Sequence, residues 1–196
     1  MSHADTVRKH LDEHASVLAA LAETVPPAIE ELSSRVTGTL NAGGTIFFCG
    51  NGGSAADAQH LAAEYVVRFE RERRPLAALA LTVDTSVLTA GGNDYGFEAV
   101  FERQVRALAR RGDLLVLHST SGESENLLRA AEAAGERGVW TAALLAKGGG
   151  RLASKVDLSI TIPTDSPARA QEMHMLIGHI VCDLVDRNIQ AEERGG

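Results

Sequence analysis

The fold is decided by residues 45–67, which read TIFFCGNGGSAADAQHLAAEYVV. The apolar run at 45–49 is typical of a strand that is buried on both faces. A glycine-rich turn follows it, and the alanine-rich stretch at 55–67 is typical of a helix. A strand that passes through a glycine turn directly into a helix is the repeating unit of parallel α/β sheets. The segment therefore predicts an α/β fold.

Similar patterns continue on both sides of this segment. Residues 3–41 predict two helices that Pro26 and Pro27 separate, and a long final helix is predicted over about residues 168–189. Between them, short apolar runs alternate with helical patterns, which predicts a parallel sheet covered by helices on both faces. The five strands are predicted at 45–49, 77–81, 114–118, 140–145 and 158–162.

Length and composition limit the class of protein. The chain has 196 residues, of which 44% are hydrophobic, so it can bury a core without disulfides. A formal net charge of −7 and the lack of a long apolar run predict neither a nucleic-acid partner nor a membrane partner. Cys49 and Cys182 fit buried free thiols in a reducing cytoplasm. The amino terminus lacks a signal-peptide pattern, so we expect a cytoplasmic protein.

The sequence shows no linker and no internal repeat. We therefore expect a single domain over residues 1–196. Within it, residues 1–42 are expected to form a helical hairpin, and residues 43–196 are expected to form the sheet with its long carboxyl-terminal helix. The hairpin has an apolar stripe at helical spacing, which has no obvious partner ahead of a self-sufficient sheet.

The glycine-rich turn is the first candidate binding site. Asn51, Gly52, Gly53 and Ser54 stand where the strand ends and the helix begins. Backbone N–H groups at the start of a helix attract an anion such as phosphate. The turn matches neither the Walker pattern nor a complete dinucleotide fingerprint, which disfavours a nucleotide. A tight turn that uses glycine only for its backbone freedom is the structural alternative.

A second candidate anion site follows the third predicted strand. Residues 118–124 read HSTSGES, and a helical pattern begins directly after them. Hydroxyl groups at such a turn donate to a phosphate, whose charge the helix dipole favours. Both loops follow strand carboxyl ends, where parallel sheets bind ligands. The hydroxyl residues are Ser119, Thr120, Ser121 and Ser124, and an ordinary helix N-cap would explain Ser124 alone.

Two helices carry candidate metal ligands or acid–base groups. His60 and Glu64 lie one turn apart, which suits a divalent metal or an acid–base pair but also an exposed pair. On the final helix, helical geometry separates His174 from the other polar residues. It does not decide whether Gln171 or Glu172 belongs with His179. The polar residues of that helix are Gln171, Glu172, His174 and His179.

Three polar segments carry weaker signals. Residues 93–96 read NDYG, which is a turn by composition. His10 and His14 stand in a polar stretch of the first helix and are expected to be exposed. Residues 68–74 mix positive and negative charges and predict a solvated loop, with Arg68 as a candidate exception.

These motifs resemble the phosphoheptose isomerases, a family within the larger sugar-isomerase (SIS) fold. The resemblance implies a flavodoxin-like five-stranded parallel sheet and a homotetramer in which the amino-terminal helices pack between subunits. It also implies conversion of sedoheptulose 7-phosphate to D-glycero-D-manno-heptose 7-phosphate through an enediol. The segments that carry the resemblance are residues 49–54, 58–60, 92–97, 119–122 and 168–174.

The resemblance also implies roles for individual residues. Members of the family hold Zn²⁺ with side chains that correspond here to His60, Glu64, Gln171 and His179. Isomerisation needs a base and an acid, for which Glu64 and His179 are the candidates, and Asp94 is implied to be catalytic or sugar-contacting. The implied substrate-binding residues are Asn51, Gly52, Gly53, Ser54, Arg68, Asn93, Asp94, Ser119, Thr120, Ser121, Ser124 and Gln171.

Two departures from the family pattern keep other functions open. Glu123 replaces a frequent asparagine and brings a negative charge beside the serine loop, and Ala168 replaces an aspartate of some members. Either change is compatible with an isomerase of another sugar phosphate. The rival from another class is a non-enzymatic SIS-fold regulator that binds the replication initiator DnaA and resembles this chain at residues 171–176. That regulator lacks a complete metal quartet, which this sequence retains.

Overall fold

A five-stranded parallel sheet forms the centre of residues 2–195, which are the residues that this computed structural model describes. Every neighbouring pair of strands is parallel. The second strand lies on one side of the first, and the third, fourth and fifth follow on the other side, which confirms the flavodoxin-like order. The strands are β1 (Ile46–Gly50), β2 (Ala78–Ala80), β3 (Leu114–Ser119), β4 (Trp140–Leu145) and β5 (Leu158–Thr161).

Helices cover both faces of the sheet, as the sequence predicts. None of the helices within residues 2–195 has the length and hydrophobicity that a bilayer span requires. Short 3₁₀ turns occur at Phe97–Ala99, Lys147–Gly149 and Arg151–Ser154. The helices are α1 (His3–Thr24), α2 (Pro26–Asn41), α3 (Gly53–Val66), α4 (Thr85–Tyr95), α5 (Val100–Leu108), α6 (Glu125–Glu136) and α7 (Pro167–Gly195).

Alternate residues of each strand face opposite sides of the sheet. In β3, Leu114 and Val116 belong to the core shared with α2, α3 and α7, whereas Leu115 and Leu117 belong to the core shared with α5 and α6. His118 continues the first series, so its side chain faces α3 and α7. The alternation thus places one polar, fully buried ring among apolar layers.

The two predicted amino-terminal helices are present and meet at a single residue. Val25 has helical backbone angles, its N–H donates to the Leu21 carbonyl at 3.1 Å, and its carbonyl accepts from the Ile29 N–H at 3.0 Å. Pro26 and Pro27 have no N–H to contribute to the ladder. α1 therefore passes into α2 through helical backbone at a proline-rich junction.

α1 leaves most of its apolar stripe uncovered. Val7 is 59% exposed, Leu11 is 64% exposed and Leu18 is 38% exposed, whereas Leu21 is buried in the core. Exposed apolar side chains that share one helix face mark a surface that gains stability when another apolar surface covers it.

The predicted turn at residues 93–96 is wrong. Asn93, Asp94 and Tyr95 form the last turn of α4. Asp84 starts this helix, because its carboxylate accepts from the Val87 N–H at 3.0 Å, and Gly96 ends it with a φ of 85°. The polar residues fit a helix here because the last turn is exposed and a glycine follows it. At the other end of the chain, α7 runs to Gly195, beyond its predicted end near residue 189.

Candidate active site

The carboxyl ends of β1 and β3 bring the two candidate anion loops together. Gly50 is paired with His118 in the parallel ladder, so the residues that follow each strand start side by side. The strand order reverses at this point, since β2 and β3 lie on opposite sides of β1. Such a switch point is where open parallel sheets bind ligands. The glycine-rich turn and the serine loop, residues 119–124, therefore share one edge of the sheet.

The glycine-rich turn requires glycine at two positions for different reasons. Gly52 has a φ of 58°, which glycine adopts without a steric penalty. A Cβ atom on Gly53 would lie 2.5 Å from the side-chain nitrogen of Gln171 on α7. The first glycine shapes the start of α3, and the second lets α7 approach it. The Gln171 amide consequently packs directly on the turn.

Paired amide hydrogen bonds join Asn51 of the glycine-rich turn to the start of α6, directly after the serine loop. Asn51 Nδ2 donates to Asn126 Oδ1 at 2.9 Å, and Asn126 Nδ2 donates to Asn51 Oδ1 at 2.9 Å. Asn126 is absent from the predicted site, and its only signal is a polar side chain immediately before the apolar face of α6. The pair fixes the spacing of the loops. An adjacent open cleft of about 340 Å³ is lined by Asn51, Phe97, Glu98, Ser124, Glu125 and Asn126.

Two hydroxyl groups of the serine loop close its turn. Ser119 Oγ accepts from the Gly122 N–H at 3.0 Å, and Ser121 Oγ accepts from the Glu123 N–H at 3.2 Å. Ser119 is buried and Ser121 is half-buried. Each hydroxyl keeps its own proton to donate, because in these contacts the oxygen is only an acceptor.

Of the remaining candidate hydroxyl residues, Ser54 and Ser124 lie at helix starts and Thr120 lies in the serine loop. Ser54 is buried in the first turn of α3, and Thr120 and Ser124 are half-buried in the serine loop. Ser124 occupies the N-cap position of α6, yet within the described chain its side chain makes no capping hydrogen bond. The Ser124 hydroxyl therefore does not act as an ordinary N-cap. Its hydroxyl stands free at the positive end of the helix dipole.

The carboxylate of Glu123 is paired with an arginine. Glu123 Oε2 accepts from Arg151 Nε at 2.8 Å, and Oε1 accepts from the Arg151 backbone N–H at 2.9 Å. The side-chain hydrogen bond from Arg151 is the main reason why the pKa of Glu123 lies below its usual value. A Cβ atom on Gly122 would collide with the Gly149 carbonyl, so the serine loop packs against the segment after β4. Arg151 thus offsets the negative charge that Glu123 brings to the loop.

His60, Glu64 and His179 form a cluster of candidate ligands. His60 Nε2 lies 3.0 Å from His179 Nε2 and 3.2 Å from Glu64 Oε1. α3 supplies the first two side chains from one face, and α7 supplies His179. The His179 ring stacks on Phe69 with 5.3 Å between ring centroids. The packing of α7 along α3 therefore assembles the cluster.

This cluster fits a divalent cation. Zinc ligands at about 2.0–2.2 Å from the metal lie about 3.3 Å apart in a tetrahedral site. The observed separations of 3.0 Å and 3.2 Å are close to that value, and the ligand atoms of all three residues lie within 4.8 Å of one another. Imidazole nitrogen and carboxylate oxygen are donors that zinc accepts. The donor set therefore suits the cation that the resemblance implies.

Gln171 and its neighbour Glu172 face different partners. Gln171 precedes His179 by about 12 Å along α7 and packs on Gly53 of the glycine-rich turn. Glu172 Oε2 instead accepts from His14 Nδ1 of α1 at 2.7 Å. Of the two residues that helical geometry left equivalent, Gln171 is the one at the turn. His14 is only partly exposed, because Glu172 holds its ring against α7.

Residues 68–74 are not a solvated loop throughout. Arg73 Nε donates to Asp186 Oδ1 at 2.8 Å, and the two side chains are 1% and 2% exposed. Arg73 Nη2 also donates to the Glu64 carbonyl at 2.7 Å. The prediction is wrong for Arg73 because Asp186 interrupts the buried face of α7 and requires a counter-charge there. The buried pair joins the end of α3, next to Glu64, to α7.

Three predicted site residues are exposed on the surface. Asp94 Oδ1 accepts from Asn93 Nδ2 at 2.8 Å, and both residues are exposed at the end of α4. Arg68 is exposed, and its Nε lies 3.1 Å from Glu72 Oε1. Within the described chain, Asp94 does not belong to the group of ligand atoms that His60, Glu64 and His179 form.

A second, buried group of titratable side chains lies at the base of the serine loop. The ligand atoms of Asp57, His118 and His174 lie within 4.8 Å of one another. Burial lowers the pKa of His118 to about 3 and the pKa of His174 to about 4. Burial also raises the pKa of Asp57 to about 6. The group is absent from the predicted site, because its members come from three separate elements that only the packing of α3 and α7 on β3 unites.

Comparison with known proteins identifies the family. Residues 9–146 match the SIS domain family. A phosphoheptose isomerase of a Nitratiruptor species is 52% identical over 182 residues, which are 93% of this chain and 97% of that protein. A phosphoheptose isomerase of Akkermansia muciniphila is 54% identical over 161 residues, which are 82% of this chain and 85% of that protein. The chain belongs to the phosphoheptose isomerase family.

Solved structures of this family share the whole architecture. The phosphoheptose isomerase of Francisella tularensis superposes with a TM-score of 0.93 and 37% identity, covering 95% of this chain and 100% of that chain. The phosphoheptose isomerase GmhA of Neisseria gonorrhoeae superposes with a TM-score of 0.90 and 42% identity over the same shares of both chains. The SIS domain match ends before α7, but these superpositions cover 95% of the chain and therefore include most of that helix. The resemblance drawn from the sequence motifs is thereby confirmed.

Proposed function

We propose that this protein converts sedoheptulose 7-phosphate to D-glycero-D-manno-heptose 7-phosphate. The observation that carries the proposal is the cluster of His60, Glu64 and His179 on two packed helices, in a chain that is 52% identical to a phosphoheptose isomerase. We place the reaction in the cytoplasm, where the buried free thiols of Cys49 and Cys182 remain reduced.

The phosphate of the substrate binds, in this proposal, at the shared edge of the glycine-rich turn and the serine loop. The starts of α3 and α6 both point there, and Ser124 presents a hydroxyl with no capping partner in the described chain. A phosphate held this way does not react, but it orients the distant carbonyl and hydroxyl carbons. The proposed phosphate residues are Asn51, Gly52, Gly53, Ser54, Ser119, Thr120, Ser121 and Ser124.

Glu64 and His179 carry out the proton transfers. Glu64 removes the proton from C1 of the ketose and returns it to C2 of the enediol, which produces the aldose. His179 donates a proton to the carbonyl oxygen at C2, and it accepts the proton that leaves the hydroxyl at C1. The two nitrogens of His179 and the two oxygens of Glu64 allow each side chain to exchange a proton through one atom while the other atom is engaged.

His60, Glu64, Gln171 and His179 are the residues proposed to hold Zn²⁺. When bound, the cation supplies a positive charge that polarises the substrate carbonyl and favours the enediolate. The buried Arg73–Asp186 pair then has a positioning function, since it fixes the end of α3 that carries Glu64 against the helix that carries His179. Arg68, Asn93 and Asp94 are retained as proposed substrate contacts on the family resemblance alone.

We further propose that the chain assembles as a homotetramer. The uncovered stripe of Val7, Leu11 and Leu18 on α1 supports this assembly, because a lone subunit leaves it in water. Asp94 lies on an exposed helix end, so a second subunit is the most direct source of neighbours for it.

Turnover of phosphorylated and unphosphorylated substrate tests the proposed reaction. The purified protein should convert sedoheptulose 7-phosphate to an aldose phosphate that NMR detects, and sedoheptulose itself should be nearly inert. Glu64→Gln should lower kcat by about 10²–10⁴-fold, because the amide has no basic oxygen for proton transfer. His179→Gln should have a similar effect. Equal turnover of both sugars, or a near-normal kcat for Glu64→Gln, would contradict the proposal.

Gln171→Ala is the matched control for these variants. It removes a proposed ligand but neither acid nor base, so added Zn²⁺ should restore part of its activity. Zn²⁺ should not restore the activity of Glu64→Gln.

A panel of other ketose phosphates tests the second candidate function, an isomerase of another sugar phosphate. The argument for it is the negative charge of Glu123, and this argument is weaker because Arg151 pairs with that charge. A wild-type protein that binds phosphate but isomerises none of these sugar phosphates would favour the non-enzymatic regulator.

A further inference from the structure

Asp57, His118 and His174 meet in the interior from three different elements. α3 contributes the aspartate, the end of β3 contributes the first histidine and α7 contributes the second. Both histidines are 0% exposed. Their ring centroids lie 6.0 Å apart with an angle of 73° between the ring planes. The three side chains therefore point into one small volume, in which both histidine rings are closed to bulk water and Asp57 is half-buried.

Most polar atoms of this group lack a hydrogen-bond partner. Within residues 2–195, no partner is present for Asp57 Oδ2, for either ring nitrogen of His118 or for His174 Nδ1. These ligand atoms nevertheless lie within 4.8 Å of one another. Buried polar atoms are almost always paired, and unpaired ones are costly. The three side chains are therefore close together, but within the described chain they form no hydrogen bonds with one another.

The tautomer of His174 identifies what kind of partner is missing. His174 Nε2 lies 3.2 Å from the Leu145 carbonyl oxygen, which can only accept, so Nε2 carries the proton. Nδ1 then presents a lone pair to the group. A histidine that donates one ring N–H to a backbone carbonyl and presents its other nitrogen is the usual arrangement of a metal ligand.

We propose that Asp57, His118 and His174 form a second divalent metal site, distinct from the cluster of His60, Glu64 and His179. Two imidazole nitrogens and one carboxylate oxygen are a donor set typical of Zn²⁺. A cation with bonds of about 2.0–2.2 Å would draw the three ligand atoms to about 3.3 Å apart and would give each of them a partner. A fourth position remains for water or another donor.

The position of this site explains what a bound cation would do. His118 immediately precedes Ser119 of the serine loop, and Asp57 lies one turn before His60 on α3. A cation between them would fasten the serine loop, α3 and α7 to one another from inside. The site is structural, because its histidines are closed to substrate.

Metal stoichiometry of the whole chain tests the proposal. The protein is stripped with a chelator, dialysed against Zn²⁺ and assayed for bound zinc by elemental analysis. Wild type should bind two zinc ions per chain. His118→Leu and Asp57→Asn should each bind one, and His60→Ala/His179→Ala should also bind one. His10→Leu, a change at an exposed histidine of α1, is the matched control and should bind two.

The outcomes separate this site from the proposed active site. One zinc per chain that His60→Ala/His179→Ala abolishes and His118→Leu retains would overturn the second site, and an internal water would then fill the buried group. One zinc that only His118→Leu and Asp57→Asn abolish would support the buried site and contradict the proposed catalytic metal. Circular dichroism of each variant checks folding, and Asp57→Asn, which keeps the side-chain size, provides the test if His118→Leu does not fold.

Discussion

The neutral ring of His118 links the interior of this protein to pH. Burial lowers its pKa to about 3 from an ordinary value of 6.5, and the neighbouring His174 adds to the effect. Between these two values the unfolded chain binds a proton that the native chain does not, so this residue makes the native state less stable as pH falls. Asp57 acts in the opposite direction, because its raised pKa lets the native state bind a proton first.

Comparison of wild type with His118→Leu measures this effect in chelator-treated protein. As the pH falls from 6 to 4, the unfolding free energy of wild type should drop relative to that of His118→Leu by about 1.4 kcal/mol for each pH unit. Urea unfolding at several pH values measures it, and His10→Leu should follow the wild-type slope. A constant difference between wild type and His118→Leu across this range would show that the ring titrates normally in the native state.

Single residues of the candidate site differ in how far the sequence predicts them. His60 and Glu64 follow from helical spacing, and the hydroxyl residues follow from their position after a strand, because both are local patterns. The contacts of Asn126, Arg73 and Asp57 are not local, since each depends on a partner from a distant element. Glu123 shows the same limit, because its charge is visible in the sequence but its pairing with Arg151 is not.

At the level of elements, the pairing of α3 with α7 organises the site. Small residues allow the close approach: a Cβ atom on Gly53 would meet the Gln171 amide, and one on Gly178 would lie 2.6 Å from a Leu61 methyl group. The strand pattern and the long final helix are predictable from apolar periodicity. Which residues of the two helices touch is not, because the register depends on these glycines and on one buried ion pair.

The buried pair of Arg73 and Asp186 should contribute strongly to stability. Asp186→Ala should lower the free energy of unfolding by about 3–5 kcal/mol, because it leaves a buried guanidinium without its counter-charge. Arg73→Met/Asp186→Leu should recover most of that loss, since no uncompensated charge remains. Urea denaturation measures all of these values.

Asp183→Ala is the matched control for Asp186→Ala. It removes an aspartate of the same helix that pairs with Arg187 at 2.8 Å and more loosely with Arg71 at 3.5 Å. Because all three side chains are partly exposed, the change should cost less than about 1 kcal/mol. If Asp186→Ala also lowered the free energy of unfolding by less than about 1 kcal/mol, the buried pair would not hold α3 against α7.

At the scale of the whole molecule, α1 connects the proposed assembly to the candidate site. One face of α1 presents exposed leucine and valine side chains, and the same helix reaches the site through the contact of His14 with Glu172, the neighbour of Gln171. A subunit that covers the apolar face of α1 would therefore also stabilise the helix that supports the start of α7. Oligomeric state and activity are expected to change together.

Light scattering of Leu11→Asp tests this link. Wild type should show a mass of four times 20.7 kDa at micromolar concentration. Leu11→Asp should dissociate, because it places a charge in the apolar contact, and its kcat should fall with its mass. Ser16→Asp, about 140° away around α1, is the control and should remain a tetramer. A wild-type monomer, or a fully active monomeric Leu11→Asp protein, would contradict the proposed assembly.

The order of the site residues along the chain also constrains how the protein is made. His60 and His179 are 119 residues apart, so roughly 6–24 s separate their synthesis at about 5–20 residues per second. During that interval α3 has been synthesised without α7, the helix that completes either ligand group. The cluster cannot be complete before His179 has been synthesised. A metal that needs the complete cluster is therefore acquired only after α7 has been synthesised, in competition with the other metal-binding molecules of the cell.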